Sequence, residues 1–211
     1  MEQPKPDRAI LFANGTVTGP ELRGLTPETF SRIIAADGGS TAALQHGFIP
    51  DTVVGDFDSI TADVKIRLKN ADWAHRPSQE LCDLEKALIL CLEAGLTDLT
   101  VVGFAGKRLD HTWANLSILA RYDRRFRFTL LTPHARLYLV RDRIQLDTRP
   151  GQTVSLVPLL PVDTVTTNGL RYPLNGEPLA MAFREGTSNE ATETEVSITI
   201  SGGLLAVFVA Y

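Results

Sequence analysis

Several things are scarce in this sequence, and each shortage narrows what the chain can be. There is no Lys/Arg-rich run and the formal charge is −4, so the electrostatic footprint of a nucleic-acid binder is missing. A phosphate-bearing ligand would need a metal ion or a few placed Arg and Lys residues. No apolar run approaches the roughly 20 residues of a membrane span, and the first ten residues lack a signal-peptide core. Cysteine is nearly absent: Cys82 and Cys91 are the two present. They fall in one predicted helix, on opposite faces and roughly 13 Å apart along its axis. That is too far for a disulfide, so a reducing cytoplasm is the expected compartment. Internal repeats and low-complexity stretches are absent too.

What remains is ordinary globular material. With 211 residues, 44% hydrophobic and 22% charged, the chain can form one large domain or two small ones. Its charge is uneven: from residue 151 onward there are six acids against Arg171 and Arg184, while the first 150 residues hold 19 charges of each sign. Residues before Arg8 are polar, contain two prolines and are expected to form a loose tail.

Periodicity changes along with the charge. Strands are expected at 9–13, 32–36, 53–54, 73–76, 99–104 and 126–131, alternating with helices at 41–46, 62–70, 78–94 and 110–122. Such alternation predicts an N-terminal α/β domain, residues 1–132, with a parallel sheet in a three-layer arrangement. From residue 135 the pattern becomes short strands at 137–140, 143–146, 153–157, 195–200 and 204–209, separated by Gly and Pro turns. Residues 133–211 are therefore expected to form an all-β sandwich.

The chemistry gathers where ligands of a parallel sheet are usually held, beyond the carboxyl ends of the strands. Asp56 and Asp58 follow the Val53-Val54 strand and Gly55. In an extended segment, residues i and i+2 point to the same side, so the two carboxylates can meet. Like charges that close repel unless a cation lies between them, and Mg²⁺ is the hard-ligand candidate. An Asp-x-Asp turn with Asx hydrogen bonds is the structural alternative. Asp37 follows another strand. Asp83, one turn into the 78–94 helix, is either a ligand or a charge that complements the helix dipole, as Gln79 and Glu80 are placed to do. Glu85 is expected to be solvated or paired with a base. Lys107 and Arg108 lie in a glycine-containing loop before a helix, a plausible phosphate cradle. Asp110, His111 and Asn115 follow, the last two on one helical face.

Taken together these residues resemble the thiamine pyrophosphokinase family. The matching segments are Ala36-Asp37-Gly38-Gly39, Gly55-Asp56-Phe57-Asp58-Ser59, Cys82-Asp83-Leu84-Glu85-Lys86-Ala87 and Lys107-Arg108-Leu109-Asp110-His111 through Asn115. In the β region, Asn168 through Leu174 and Thr187-Ser188-Asn189-Glu190 look like the family's thiamine-pocket segments. This chain has Cys82, Glu80 and Lys107 where the family usually has Thr, Asp and often Gly. The resemblance implies transfer of a diphosphate group from ATP to the hydroxyl of thiamine, giving thiamine diphosphate and AMP. It further implies Mg²⁺ held by Asp56, Asp58 and Asp83, and one of the first two as proton acceptor. Asp37 and Gln79 would contact thiamine or phosphates. Arg108 and Lys107 would neutralise phosphate charge, with Asp110 orienting Arg108 or contacting nucleotide, and His111 and Asn115 nearby. Ser188 and Asn189 would hold the aminopyrimidine across the interface of a homodimer. The alternatives are a diphosphokinase for another heterocyclic alcohol such as a hydroxymethylpterin, an Asp-x-Asp glycosyltransferase, and a non-catalytic thiamine-binding protein.

Overall fold

Strands that bury both faces read as unbroken apolar runs, and the first half of the chain is built on such runs. The computed structural model describes residues 8–211, so the tail expected before Arg8 lies outside the described residues. Two compact units meet at Pro133 and His134 in the chain.

The first unit is a six-stranded, all-parallel sheet with the order β6-β5-β1-β2-β3-β4. Its strands are β1 (Ala9–Phe12), β2 (Arg32–Ala36), β3 (Thr52–Gly55), β4 (Asp72–His75), β5 (Asp98–Val102) and β6 (Arg127–Leu131). Helices α1 (Gly39–Gln45), α2 (Ala62–Arg67), α3 (Asp83–Glu93) and α4 (Leu109–Tyr122) occupy the crossovers. Every residue of β1 is buried, so both faces of the sheet are covered. Ile10, Phe12, Phe30, Ala35, Ala43 and Val102 belong to one apolar cluster, and Leu44, Val53, Ile60, Val64 and Leu68 to another. After β1 the chain builds outward to β4, then returns to place β5 on the other side of β1. Diverging loops at such a reversal leave a crevice at the carboxyl ends of the two strands.

The second unit is a sandwich of two four-stranded antiparallel sheets. One has the order β12-β9-β14-β7 and the other β11-β10-β13-β8. The strands are β7 (Ala135–Val140), β8 (Arg143–Asp147), β9 (Thr153–Leu160), β10 (Val162–Asn168), β11 (Asn175–Leu179), β12 (Gly186–Glu190), β13 (Glu195–Ser201) and β14 (Leu204–Ala210). Val154, Leu156 and Val207 from the first sheet and Val165, Val196 and Ile198 from the second share one core. Alternation of buried and exposed residues along β13 is what a one-face-buried strand requires.

Three differences from the sequence-based expectation have local causes. The helix expected from residue 78 starts at Asp83, with Cys82 extended at its N-cap, so Asp83 opens the helix instead of lying one turn inside it. Residues 78–82 form a bend outside the helix, in which the Glu80 N–H donates to Ser78 Oγ. Helix α2 stops at Arg67, short of residue 70: the Leu68 N–H makes the last i to i−4 bond, to Val64, and the Lys69 N–H turns instead to the Ile66 carbonyl three residues back. Strands β10, β11 and β12 go beyond what the pattern foretold; β11 (NGEPL) and β12 (GTSNE) have almost no apolar alternation, and their pairings are broken by register shifts.

Among the described residues no helix is long and apolar enough to cross a membrane. Both cysteines are free, Cys82 exposed and Cys91 buried, and burial pushes the Cys91 thiol up to about 12.

Gly39 shows how tightly the carboxyl edge is built: a Cβ there would overlap the Phe12 carbonyl. Gly39→Ala is therefore expected to destabilise the protein by about 1–3 kcal/mol, the usual range for overpacking. Urea unfolding checks this; an unchanged midpoint would contradict the packing described.

Candidate active site

Two loops, after β2 and after β3, carry the acidic residues together. The Asp37 N–H donates to the Val54 carbonyl at 2.8 Å, continuing the β2–β3 ladder one step past the strand. Asp37 thereby lies beside Gly55, where an added Cβ would stand 3.0 Å from the Asp37 Cβ. The absence of a side chain at Gly55 is what lets the two loops close up. Asp37, Asp56 and Asp58 then offer carboxylate oxygens that all lie within 4.8 Å of one another.

These three carboxylates differ in surroundings. Asp37 is 2% exposed; its Oδ2 accepts from Ser59 Oγ, and its Oδ1 has no hydrogen-bond partner among the described residues. A buried carboxylate oxygen without a donor is costly, and it is the chemical mark of a place for a cation. Asp56 is half-buried, accepting from the Asp58 N–H at 3.3 Å and from Gln79 Nε2 at 3.2 Å. The Asp58 N–H holds the Asp56 carboxyl below its usual range, helped by Gln79 and by the charge of Lys86 against a smaller desolvation effect. Asp58 is exposed. A set of hard, anionic oxygen donors with one orphaned and buried member fits a divalent cation such as Mg²⁺.

The route by which Asp56 and Asp58 converge differs from the extended geometry read from the sequence. Between them, Phe57 has φ 68, a left-handed conformation that costs of order 1–3 kcal/mol in a bulky residue.

Asp83 lies outside the three-carboxylate group. At the first position of α3 its Oδ1 accepts from Lys86 Nζ at 3.0 Å. Burial raises its pKa, with the charges of Asp37 and Asp56 adding to the rise and Lys86 opposing it. So the structure groups Asp37 with Asp56 and Asp58, and places Asp83 with Lys86. Lys86, only 4% exposed, had no role in the sequence reading. Its one signal was a lysine sharing a helical turn with Asp83 and Leu84, at a depth that spacing alone does not reveal.

A cleft of about 460 Å³ opens beside this edge. Asp56, Gln79, Asp83 and Lys86 line one side, and Asn14, Gly15, Gly106, Lys107, Arg108, His111 and Asn115 line the rest. These come from the loops after β1, β3, β4 and β5 and the N-terminal halves of α3 and α4, around the reversal point of the sheet. Lys107, at φ 53, donates to Asn14 Oδ1 at 3.0 Å and ties the β1 and β5 loops together. Arg108 meets Asp110 through two hydrogen bonds, Nε to Oδ1 at 3.1 Å and Nη2 to Oδ2 at 2.5 Å. Asp110 stands behind Arg108, outside the cleft lining, and Arg108 pulls its pKa down to about 2. His111 is exposed on the first turn of α4. Asn115 donates to the Phe104 carbonyl at 2.7 Å; its amide fastens the β5 loop. Glu85, at the root of α3, is buried and accepts from Arg121 at 2.8 Å and Tyr122 at 3.1 Å.

Ser188 and Asn189 belong to the second unit, on β12. Ser188 is exposed at φ 58, and its N–H donates to Ser155 Oγ. Asn189 is buried and hydrogen-bonded through both amide atoms: Oδ1 accepts from the Tyr172 and Glu190 N–H groups, and Nδ2 donates to the Tyr172 carbonyl at 2.7 Å. Its amide holds the 170–173 loop in shape, leaving exposed Tyr172 and Ser188 as the nearby surface groups.

Carboxylates on one wall and Lys and Arg on the other, at the reversal point of a parallel sheet, equip a phosphotransferase. Comparison with known proteins gives the class a family. Residues 27–130 match the family model "Thiamin pyrophosphokinase, catalytic domain", and residues 141–205 match "Thiamin pyrophosphokinase, vitamin B1 binding domain". Thiamin pyrophosphokinase 1 of Caenorhabditis elegans is 30% identical over 189 residues, covering 82% of this chain and 76% of that protein. Thiamine pyrophosphokinase of Bacillus subtilis is 26% identical, covering 88% of this chain and 90% of its own length. The fold is similar to the crystal structure of the Bacillus subtilis thiamine pyrophosphokinase, with a TM-score of 0.83 at 23% identity, over 96% of this chain and 98% of that one. It is likewise similar to the thiamin pyrophosphokinase from Candida albicans, with a TM-score of 0.82 at 19% identity over 96% and 88% of the two chains. The chain belongs to the thiamin pyrophosphokinase family.

In an NMR titration the Asp110 carboxyl is expected to titrate near 2 and to return toward its ordinary 3.8 in Arg108→Gln. Because the folded value is depressed, the pair is complete above 3.8 and is lost as pH falls through about 2. An ordinary midpoint in the wild-type protein would mean that the pair does not form in solution.

Proposed function

We propose that this protein transfers the diphosphate group of ATP to the hydroxyl of thiamine, producing thiamine diphosphate and AMP. The observation that carries this reading is the cleft at the sheet's reversal point, acidic on one side and basic on the other, within a chain of this family. Neither a pterin diphosphokinase nor a glycosyltransferase finds support in the similarities. In the transfer, the thiamine hydroxyl oxygen bonds to the β-phosphorus of ATP, the bond from that phosphorus to the α,β-bridging oxygen breaks, and AMP leaves. Such transfers depend on positioning and charge neutralisation more than on covalent help from the protein.

Asp37, Asp56 and Asp58 are the residues suited to hold Mg²⁺, with Asp83 as a fourth carboxylate that Lys86 now engages. The ion, when bound, neutralises phosphate charge and polarises the phosphoryl oxygens. Arg108, kept in one orientation by Asp110, and Lys107 neutralise the outer phosphates. Gln79 orients Asp56. His111 and the Asn115-fastened loop border the nucleotide. A carboxylate at the edge accepts the hydroxyl proton. Ser188 and the Tyr172 loop that Asn189 holds contribute to the thiamine pocket. We further propose a cytoplasmic homodimer. The support is two free cysteines and large apolar side chains left exposed on each unit, Leu109 and Trp113 on α4, and Tyr172, Met181 and Phe183 in the sandwich.

Incubation with ATP, Mg²⁺ and thiamine is expected to release AMP and thiamine diphosphate together, and neither product without thiamine. Asp58→Asn should lower kcat/KM by at least about 100-fold, the scale for losing a group that stabilises transition-state charge. Since Asp58 is exposed, its loss should leave stability within about 0.5 kcal/mol. Near-normal turnover in that variant, or ADP as product, would overturn the reading. For the assembly, light scattering should give twice the 23.1 kDa chain mass; a monomer at micromolar concentration would rule the dimer out.

A further inference from the structure

Phe57 stands in a conformation that a phenylalanine avoids. At φ 68 its backbone suits glycine or asparagine far better, yet the chain keeps an aromatic ring there, between two of the three clustered carboxylates. That ring is clamped. Its centroid lies 5.0 Å from Trp73 in an edge-to-face contact with an 86° interplanar angle, and 5.6 Å from His75. Trp73 and His75 belong to β4, and Trp73 is itself fixed by donating Nε1–H to the Leu68 carbonyl at 3.2 Å. The ring also packs on the cluster formed by Leu44, Val53, Ile60, Val64 and Leu68. On the backbone side, the Phe57 carbonyl accepts from Lys65 Nζ of α2 at 3.3 Å. So the residue is tied to β4 by its ring and to α2 by its backbone.

The geometry says what this anchoring does. In an extended strand, side chains two residues apart share a side but start roughly 7 Å from each other. The left-handed residue folds the chain so that the Asp58 N–H reaches Asp56 Oδ1 at 3.3 Å, and both carboxylates come within 4.8 Å of that of Asp37. Three carboxylates so close repel, and a loop free to relax would splay them. From this we infer that Phe57 is a positioning residue. Its clamped ring holds the strained backbone that aims Asp56 and Asp58 at Asp37, so that the acidic edge is ready for a divalent cation before the cation arrives. This rests on the reading of that edge as a cation site given above. It adds that the site is preformed, and that an aromatic peg outside the cleft lining preforms it.

The test is Mn²⁺ binding without ATP or thiamine, read from the free-ion signal in electron paramagnetic resonance, alongside thermal unfolding of each variant. Phe57→Gly keeps the left-handed backbone accessible but loses the peg, and Mn²⁺ affinity should fall at least about tenfold while the protein still unfolds cooperatively. Phe57→Tyr, which keeps the ring, should bind Mn²⁺ within about twofold of wild type. Trp73→Leu, which loosens the clamp without touching the 55–59 loop, should weaken binding by an intermediate factor. It also serves as the deciding variant if Phe57→Gly does not fold. Folded Phe57→Gly or Trp73→Leu protein that binds Mn²⁺ as tightly as wild type would overturn the inference, leaving the cation site intact. Wild-type protein that binds no Mn²⁺ would instead remove the cation site, and the inference with it.

Discussion

Crowding of like charge is the constraint on which the first unit turns. Asp37, Asp56 and Asp58 are brought within a few ångströms of one another, with Asp83 near enough for its pKa to feel two of them. Nothing in a folding chain favours that arrangement for its own sake. It is held by Ser59 on Asp37, by Gln79 and the Asp58 amide on Asp56, and by Lys86 on Asp83. Beneath these polar contacts lies the parallel sheet, whose β2–β3 register sets Asp37 against Val54. Instability is thus concentrated at the carboxyl edge and offset by an apolar interior that is nearly sealed. A site assembled for charge is commonly strained in this way, stabilised by the scaffold around it.

The basic side of the cleft follows a different logic. Arg108 and Asp110 are both exposed, and an exposed ion pair contributes little to folding. Its value is orientation: a guanidinium held by two hydrogen bonds points one way, where a free one samples many. Lys107 and Asn115 fasten the same loop, one to Asn14 and the other to Phe104. Three polar side chains that look like ligand contacts in a linear reading therefore serve partly as ties. Asn189 does the same in the sandwich, where its amide is committed to Tyr172 and Glu190.

How far the sequence foretold all this depended on the kind of signal. Uniform apolar runs such as Ala9–Phe12 and the 3.6-residue stripe of α3 carry their own structure, and β1, β2 and α4 lie within a residue of their expected bounds. Motifs with short internal spacing, such as Asp56 and Asp58, also speak for themselves. Less legible was anything set by pairing between distant segments. Asp37 joins the acidic group only because β2 lies beside β3, and no spacing along the chain encodes that neighbour. Lys86 was missed because a lysine beside a glutamate on a helix looks solvated, whereas α3 presses it into the cleft wall. The left-handed turn at Phe57 was hidden for the opposite reason: an aromatic residue is poor turn chemistry. Strands β11 and β12 escaped notice because partner strands define them more than their own residues do.

Strand β14 has one further implication, for how the polypeptide is made. It follows both β7 and β9 in the chain, yet it lies between them, with β9 hydrogen-bonded along one edge and β7 along the other. Until it emerges from the ribosome, those two strands have no template between them, and Val154, Leu156 and Leu137 lack the neighbours that shield them. A nascent chain stalled at that stage would display open strand edges beside apolar side chains, the combination most prone to sticking to other chains. Closure of this sheet therefore waits for β14, and that interval is where a chaperone would matter most.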